Sequence, residues 1–175
     1  MIIAIAGLPA TGKSTLARRL AADLPAILLD KDKVRAALFP GPETDYSTAQ
    51  DDLCVDVMLQ VARYTLHRYP HKVILLDGRP FTRRYQVEAL RRAAAEMGAE
   101  LRIIECICSD DTARVRLVQD VARGLHPAAN RDFELYQRLK AEAEPIEEPK
   151  LVVDTGELGA EACVRRCLEF LTSGR

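Results

Sequence analysis

Short, nearly unbroken apolar runs alternate with longer amphipathic stretches along the whole chain. The runs are Ile2–Ala6, Ala26–Leu29, Val73–Leu76, Leu101–Cys106 and Leu151–Val153. A half-buried strand would alternate with period two, so continuous apolar character over so few residues fits strands covered on both faces. Between the runs, Lys13–Ala22, Ser47–His67, Arg83–Met97, Thr112–Ala122, Arg131–Ala143 and Gly159–Leu171 space their apolar residues as helices do. Gly98 stands where a C-terminal helix cap belongs, Asp110 or Asp111 can cap the fourth of these helices, and Asn130 the fifth. A shorter helix, Lys33–Leu38, follows the second run. Strands alternating with helices predict βαβ crossovers, and so a three-layer α/β fold: a five-stranded parallel sheet with helices on both faces. Phe39–Tyr46 and Arg123–Arg131 are Pro/Gly loops that break the rhythm. Neither has the length of a domain linker, so residues 1–175 are expected to form a single domain.

Composition narrows the class. At 48% hydrophobic and 29% charged residues the chain is too apolar for disorder. Its 25 Lys and Arg nearly balance 26 Asp and Glu, which leaves no broad cationic field for nucleic acid or an anionic membrane. No apolar run reaches the length that spans a bilayer, and Met1–Gly7 reaches glycine without the basic start of a signal peptide. Of the five cysteines, Cys54 stands alone, Cys106 and Cys108 share a strand face, and Cys163 and Cys167 share a helix face. Reduced buried thiols in a cytoplasmic protein are the expectation, a metal or disulfide site the alternative. His67, His71 and His126 lack metal-ligand spacing and are expected at the surface, with His126 in the second loop able to meet a substrate. Glu142–Glu148 reads as a solvated acidic face broken by Pro145.

One motif carries chemistry. Gly7-Leu8-Pro9-Ala10-Thr11-Gly12-Lys13-Ser14 matches G-x-x-x-x-G-K-[ST] between the first strand and the first helix, with Thr15 following. The glycines let backbone N–H groups close around phosphates, and the helix N-terminus adds donors and a positive dipole end. Lys13 can reach the β- and γ-phosphates of ATP, and Ser14 can ligate Mg²⁺. The alternative is a glycine-rich turn with an exposed lysine. Asp77, ending the run Val73–Leu76, is placed to hold Mg²⁺ directly or through water, or is a plain strand-end carboxylate. Glycine follows it, where water-activating ATPases carry Glu, and no N/T-K-x-D element for guanine is present. The pattern favours a transferase.

In these motifs the chain resembles the small P-loop kinases of the nucleoside/polynucleotide-kinase-like group, which includes adenylate kinase, gluconate kinase, chloramphenicol phosphotransferase and the kinase half of phage polynucleotide kinase. The resemblance implies a small lid at about 123–131. In Asp30-Lys31-Asp32-Lys33-Val34-Arg35 it implies Asp32, with Arg35 beside it, as the base for an acceptor hydroxyl. The residues alone allow Asp32 or Asp30 to be a helix cap instead. The resemblance further implies that Arg116 stacks on adenine and that Gly156, after Asp154-Thr155, passes backbone along the adenine edge. The family's next lid arginine falls on Asp120, so Arg123 takes the clamp on the transferring phosphate. Arg79, Arg83 and Arg84 suit an anionic acceptor or open a helix at the surface; Asp45, Tyr46, Asp51 and Asp52 suit a neutral or cationic polyol. The expected activity is ATP- and Mg²⁺-dependent phosphorylation of a hydroxyl on a small molecule. The alternatives are a polynucleotide 5′-kinase and an ATP-binding switch without catalysis.

Overall fold

The five apolar runs form one sheet. In the computed structural model, which describes residues 1–122 and 132–173, they are β1 (Ile2–Ala6), β2 (Ala26–Asp30), β3 (Val73–Asp77), β4 (Leu101–Ile107) and β5 (Lys150–Asp154). The strands lie in the order β2-β3-β1-β4-β5, and every pairing is parallel. The helices are α1 (Lys13–Asp23), α2 (Lys31–Leu38), α3 (Thr48–Arg68), α4 (Arg84–Glu96), α5 (Asp110–Ala122), α6 (Phe133–Ala141) and α7 (Ala160–Thr172). None of the described helices is long and apolar enough to cross a membrane.

The unbroken apolar strands feed two cores. On one face Ile2, Ala4, Ile74, Leu76 and Ile103 pack against α3 and α4 through Met58, Leu59, Ala62, Val87 and Leu90. On the other, Ile3, Ile5, Leu75, Ile104 and Val153 pack against α1 and α7 through Leu16, Leu20, Val164, Cys167 and Leu171. Each fully buried side chain of this size contributes about 1.5–3 kcal/mol of transfer free energy, so the two-faced burial of β1 and β3 anchors the domain. β1 lies between β3 and β4, where the winding of the sheet reverses. That reversal opens a crevice at the carboxyl ends of β1, β3 and β4, the place where open α/β sheets bind ligands.

Two caps differ from expectation, and at α2 one of the two carboxylates offered is the cap. Ser109, not Asp110 or Asp111, caps α5: its Oγ accepts from the Thr112 N–H at 3.2 Å. Asp132 caps α6 by accepting from the Leu135 N–H at 2.7 Å, while Asn130 lies outside the described residues. Asp30 caps α2, which therefore starts two residues before the expected Lys33. Gly98 does follow α4 with φ +59°.

Candidate active site

The loop between β1 and α1 is held by backbone conformation. Gly7 has φ +128°, and a Cβ there would lie 2.2 Å from the Cys106 carbonyl oxygen, so no other residue fits. Ala10 and Gly12 also adopt positive φ, +61° and +82°. The Gly7 N–H donates to the Pro80 carbonyl, which pins the loop to the segment after β3. Inside the loop the Thr11 hydroxyl and Lys13 Nζ both donate to the Leu8 carbonyl, at 2.8 and 2.6 Å. No side chain caps α1, and no acidic residue sits in its first turn. Its N-terminal donors are thus left for an anion.

Asp77 ends β3 beneath this helix, 2% exposed. The Ser14 side chain hydrogen-bonds its carboxylate. Burial raises the Asp77 pKa, against a smaller lowering by the Ser14 hydrogen bond and the Lys13 charge. Its Oδ1 is buried with no hydrogen-bond partner among the described residues. A buried carboxylate oxygen left without a partner is costly, and a hydroxyl beside it completes a hard-oxygen donor pair. Ser14 and Asp77 therefore fit Mg²⁺.

Beside the loop lies a cavity of about 580 Å³, lined by Gly12, Lys13, Ser14, Thr15, Arg116 and Thr155, with Gln119 and Asp120 at its edge. Arg116 braces it: Nη1 donates to the Ala10 carbonyl at 3.1 Å and to Thr155 Oγ1 at 2.9 Å, and Nη2 to the Thr155 carbonyl at 2.7 Å. Thr155 passes the brace on, its hydroxyl donating to the Thr11 carbonyl at 2.8 Å. Sequence reasoning missed Thr155. Its only signal is its place one residue beyond β5, and no spacing rule marks it. Gly156 is exposed, and its N–H donates to Asp154 Oδ1 at 2.8 Å.

The opposite side of the crevice, at the start of α2 and α3, is built from charge pairs. Asp30 accepts from the N–H groups of Asp32 and Lys33, so the cap of α2 is Asp30. Asp32 meets Arg35 Nη1 at 2.9 Å and Lys31 Nζ at 3.4 Å. Lys31 also donates to Asp51 at 2.7 Å, and Arg35 Nη2 pairs with the same carboxylate. Arg79 pairs with Asp52, which also accepts from the Tyr85 hydroxyl at 3.0 Å. Arg35 lies 5.1 Å from the centre of the Tyr46 ring. Burial lowers the Lys31 pKa to about 8, with the Asp32 charge opposing it. Arg35 and Arg79 each keep a buried Nε–H without a partner among the described residues.

The arginine cluster after Asp77 therefore divides. Arg79 is buried on Asp52, whereas Arg83 and Arg84 leave the crevice. Arg83 donates to the Glu142 carbonyl and carboxylate, at 3.0 and 2.5 Å, and Arg84 to Glu147 at 3.0 Å. Glu142, Glu144 and Glu147 are exposed, as expected of a solvated acidic face, and their carboxylates tie the segment to the start of α4, with Ile146 buried in the core. Arg114 covers the Phe133 ring at 4.0 Å. Arg123, His126 and the lid expected at 123–131 lie outside the described residues; His67 and His71 are exposed. Cys54, Cys106, Cys163 and Cys167 are buried free thiols, and Cys108 is half-buried just past β4. Burial pushes the Cys106 and Cys167 thiols up to about 12, and no group of metal-ligating side chains occurs among the described residues.

The AAA domain family matches residues 2–146. No curated protein matches the chain in sequence. Among solved structures, a candidate kinase from Chloroflexus aurantiacus is 23% identical over 96% of each chain, with a TM-score of 0.76. The APS kinase CysC of Mycobacterium tuberculosis, solved with AMPPNP and APS, is 19% identical over 98% of this chain and 97% of its own, with a TM-score of 0.70. Kti12 of Chaetomium thermophilum, solved with ADP-AlF3, is 16% identical over 98% and 97%, with a TM-score of 0.68. At these identities the likeness is one of fold.

Proposed function

This chain belongs to the AAA domain family, and on that premise we propose that it is an ATP- and Mg²⁺-dependent phosphotransferase that phosphorylates a hydroxyl of a small molecule, with residues 1–175 acting as one kinase-like unit. The observation that carries the reading is a juxtaposition. Asp77 and Asp30 are register partners at the ends of β3 and β2, so the Ser14–Asp77 pair lies one strand away from the turn that presents Asp32. A metal-fitting pair and the Asp32 carboxylate, which Arg35 and Lys31 hold, thus share one edge of the sheet.

In this reading the loop Gly7–Thr15 cradles the phosphates through backbone N–H groups, and Lys13 leaves the Leu8 carbonyl to meet the γ-phosphate. Mg²⁺, held by Ser14 and Asp77, supplies charge neutralisation on the phosphate oxygens. Arg116 and the backbone at Gly156 border the base, and Arg123 clamps the transferring group. Asp32, oriented by Arg35, accepts the acceptor's hydroxyl proton. Positioning and electrostatics do the rest. A polynucleotide acceptor is disfavoured because the more exposed groups opposite the phosphates are carboxylates, which repel a phosphodiester chain. ADP production from Mg·ATP tests the reading: it should depend on an added hydroxyl compound. ADP released at the same rate with and without every acceptor would mark a hydrolase or a switch.

A further inference from the structure

We infer that the acceptor is a neutral molecule with neighbouring hydroxyl groups, a sugar or polyol, rather than an anionic or amine-bearing one. The inference rests on the phosphotransferase reading and narrows it. Lys31, Arg35 and Arg79 are 5%, 4% and 3% exposed. The side chains of Asp32, Asp51 and Asp52 in front of them are 23%, 21% and 39% exposed. The cations form the back of the cluster and the carboxylates its accessible face.

An anionic acceptor would have to break a buried pair to reach any of these cations, and would meet three carboxylates on the way. Arg83 and Arg84, the arginines that follow Arg79, are spent on Glu142 and Glu147. An ammonium group could approach the carboxylates, but Lys31, Arg35 and Arg79 already match them charge for charge, so it would bring an uncompensated positive charge. A hydroxyl brings no charge and donates its proton to an exposed carboxylate oxygen. Neighbouring hydroxyls extend that pattern from Asp32 to Asp51 and Asp52. The hydroxyl at Asp32 is the reacting one: its oxygen bonds to the γ-phosphorus, the bond from that phosphorus to the β-bridging oxygen breaks, and the proton passes to Asp32.

Matched probes decide it. Sorbitol, glucose and myo-inositol serve as neutral probes, gluconate and glucose phosphate as anionic ones, and glucosamine as the amine. Binding to the full chain is read by ligand-observed NMR, with and without Mg·AMPPNP, and turnover by ADP production from Mg·ATP. Neutral probes should bind and react at least about tenfold better than their anionic or amine counterparts, a difference of about 1.4 kcal/mol. Preference for gluconate, glucose phosphate or glucosamine overturns the inference, and so does the absence of binding by every neutral probe. Failure of Mg·AMPPNP itself to bind counts against the phosphotransferase reading, while polyol binding without nucleotide still decides the acceptor class. Asp52→Asn sharpens the test because it strips Arg79 of its counter-charge: selectivity should move toward gluconate by about tenfold. A folded Asp52→Asn protein with unchanged selectivity speaks against the inference. Should that variant not fold, the wild-type panel alone gives the answer.

Discussion

The two sides of the crevice are built by different means. On the nucleotide side, backbone does the work: positive φ at Gly7, Ala10 and Gly12, an uncapped helix, and a carbonyl so close that Gly7 admits no side chain. On the side proposed for the acceptor, side chains do it: Lys31 and Asp51 are twenty residues apart, Asp52 and Arg79 twenty-seven, and charge holds them together. A phosphate tail is the same in every nucleotide and can be met by a fixed cradle. An acceptor varies, and a cluster of paired side chains can be re-cut by single substitutions without disturbing the sheet beneath.

The comparison breaks most visibly at Lys13. Lys13→Ala should lower transfer by about 10³-fold or more, since in the proposed mechanism its charge meets the γ-phosphate, while circular dichroism shows the fold retained. A variant with wild-type turnover would remove the phosphate cradle from the account. Arg116→Ala comes next. It deletes donors to Ala10 and Thr155, so nucleotide affinity measured by calorimetry should fall by about tenfold or more. Asp30→Ala separates cap from chemistry. It should cost about 1 kcal/mol in urea unfolding, because two N–H groups of α2 lose their acceptor. Smallest of all is Arg83→Ala. Its pair with Glu142 is solvent-exposed, so the loss should stay below about 1 kcal/mol, with turnover unchanged.

The contrast also explains what the sequence disclosed. Parallel strands buried on both faces must be apolar throughout, so β1 and β3 announce themselves, and a phosphate cradle demands its residues at set spacing. The place of Asp77 at the end of β3 was legible for the same reason. The acceptor side left no such trace. Nothing in the order of residues says that Arg79 turns inward to Asp52 while Arg83 and Arg84 turn away to Glu142 and Glu147. Their partners lie on elements whose packing only the fold decides. Nor could composition choose between Asp30 and Asp32 as the cap, because either carboxylate reaches the N–H groups of a helix that starts there. Thr155 was invisible because its role depends on how close β5 brings it to the loop.

The most direct test of the account is the rate and affinity of Asp32→Asn measured together. Asp30 caps α2, so the substitution should leave the helix intact, and the nucleotide cradle lies on another loop. The account predicts that calorimetry gives Mg·ATP affinity close to wild type while acceptor-dependent turnover falls by about 10²–10⁴-fold. Turnover near the wild-type rate, or a loss of nucleotide affinity that matches the loss of rate, would contradict it.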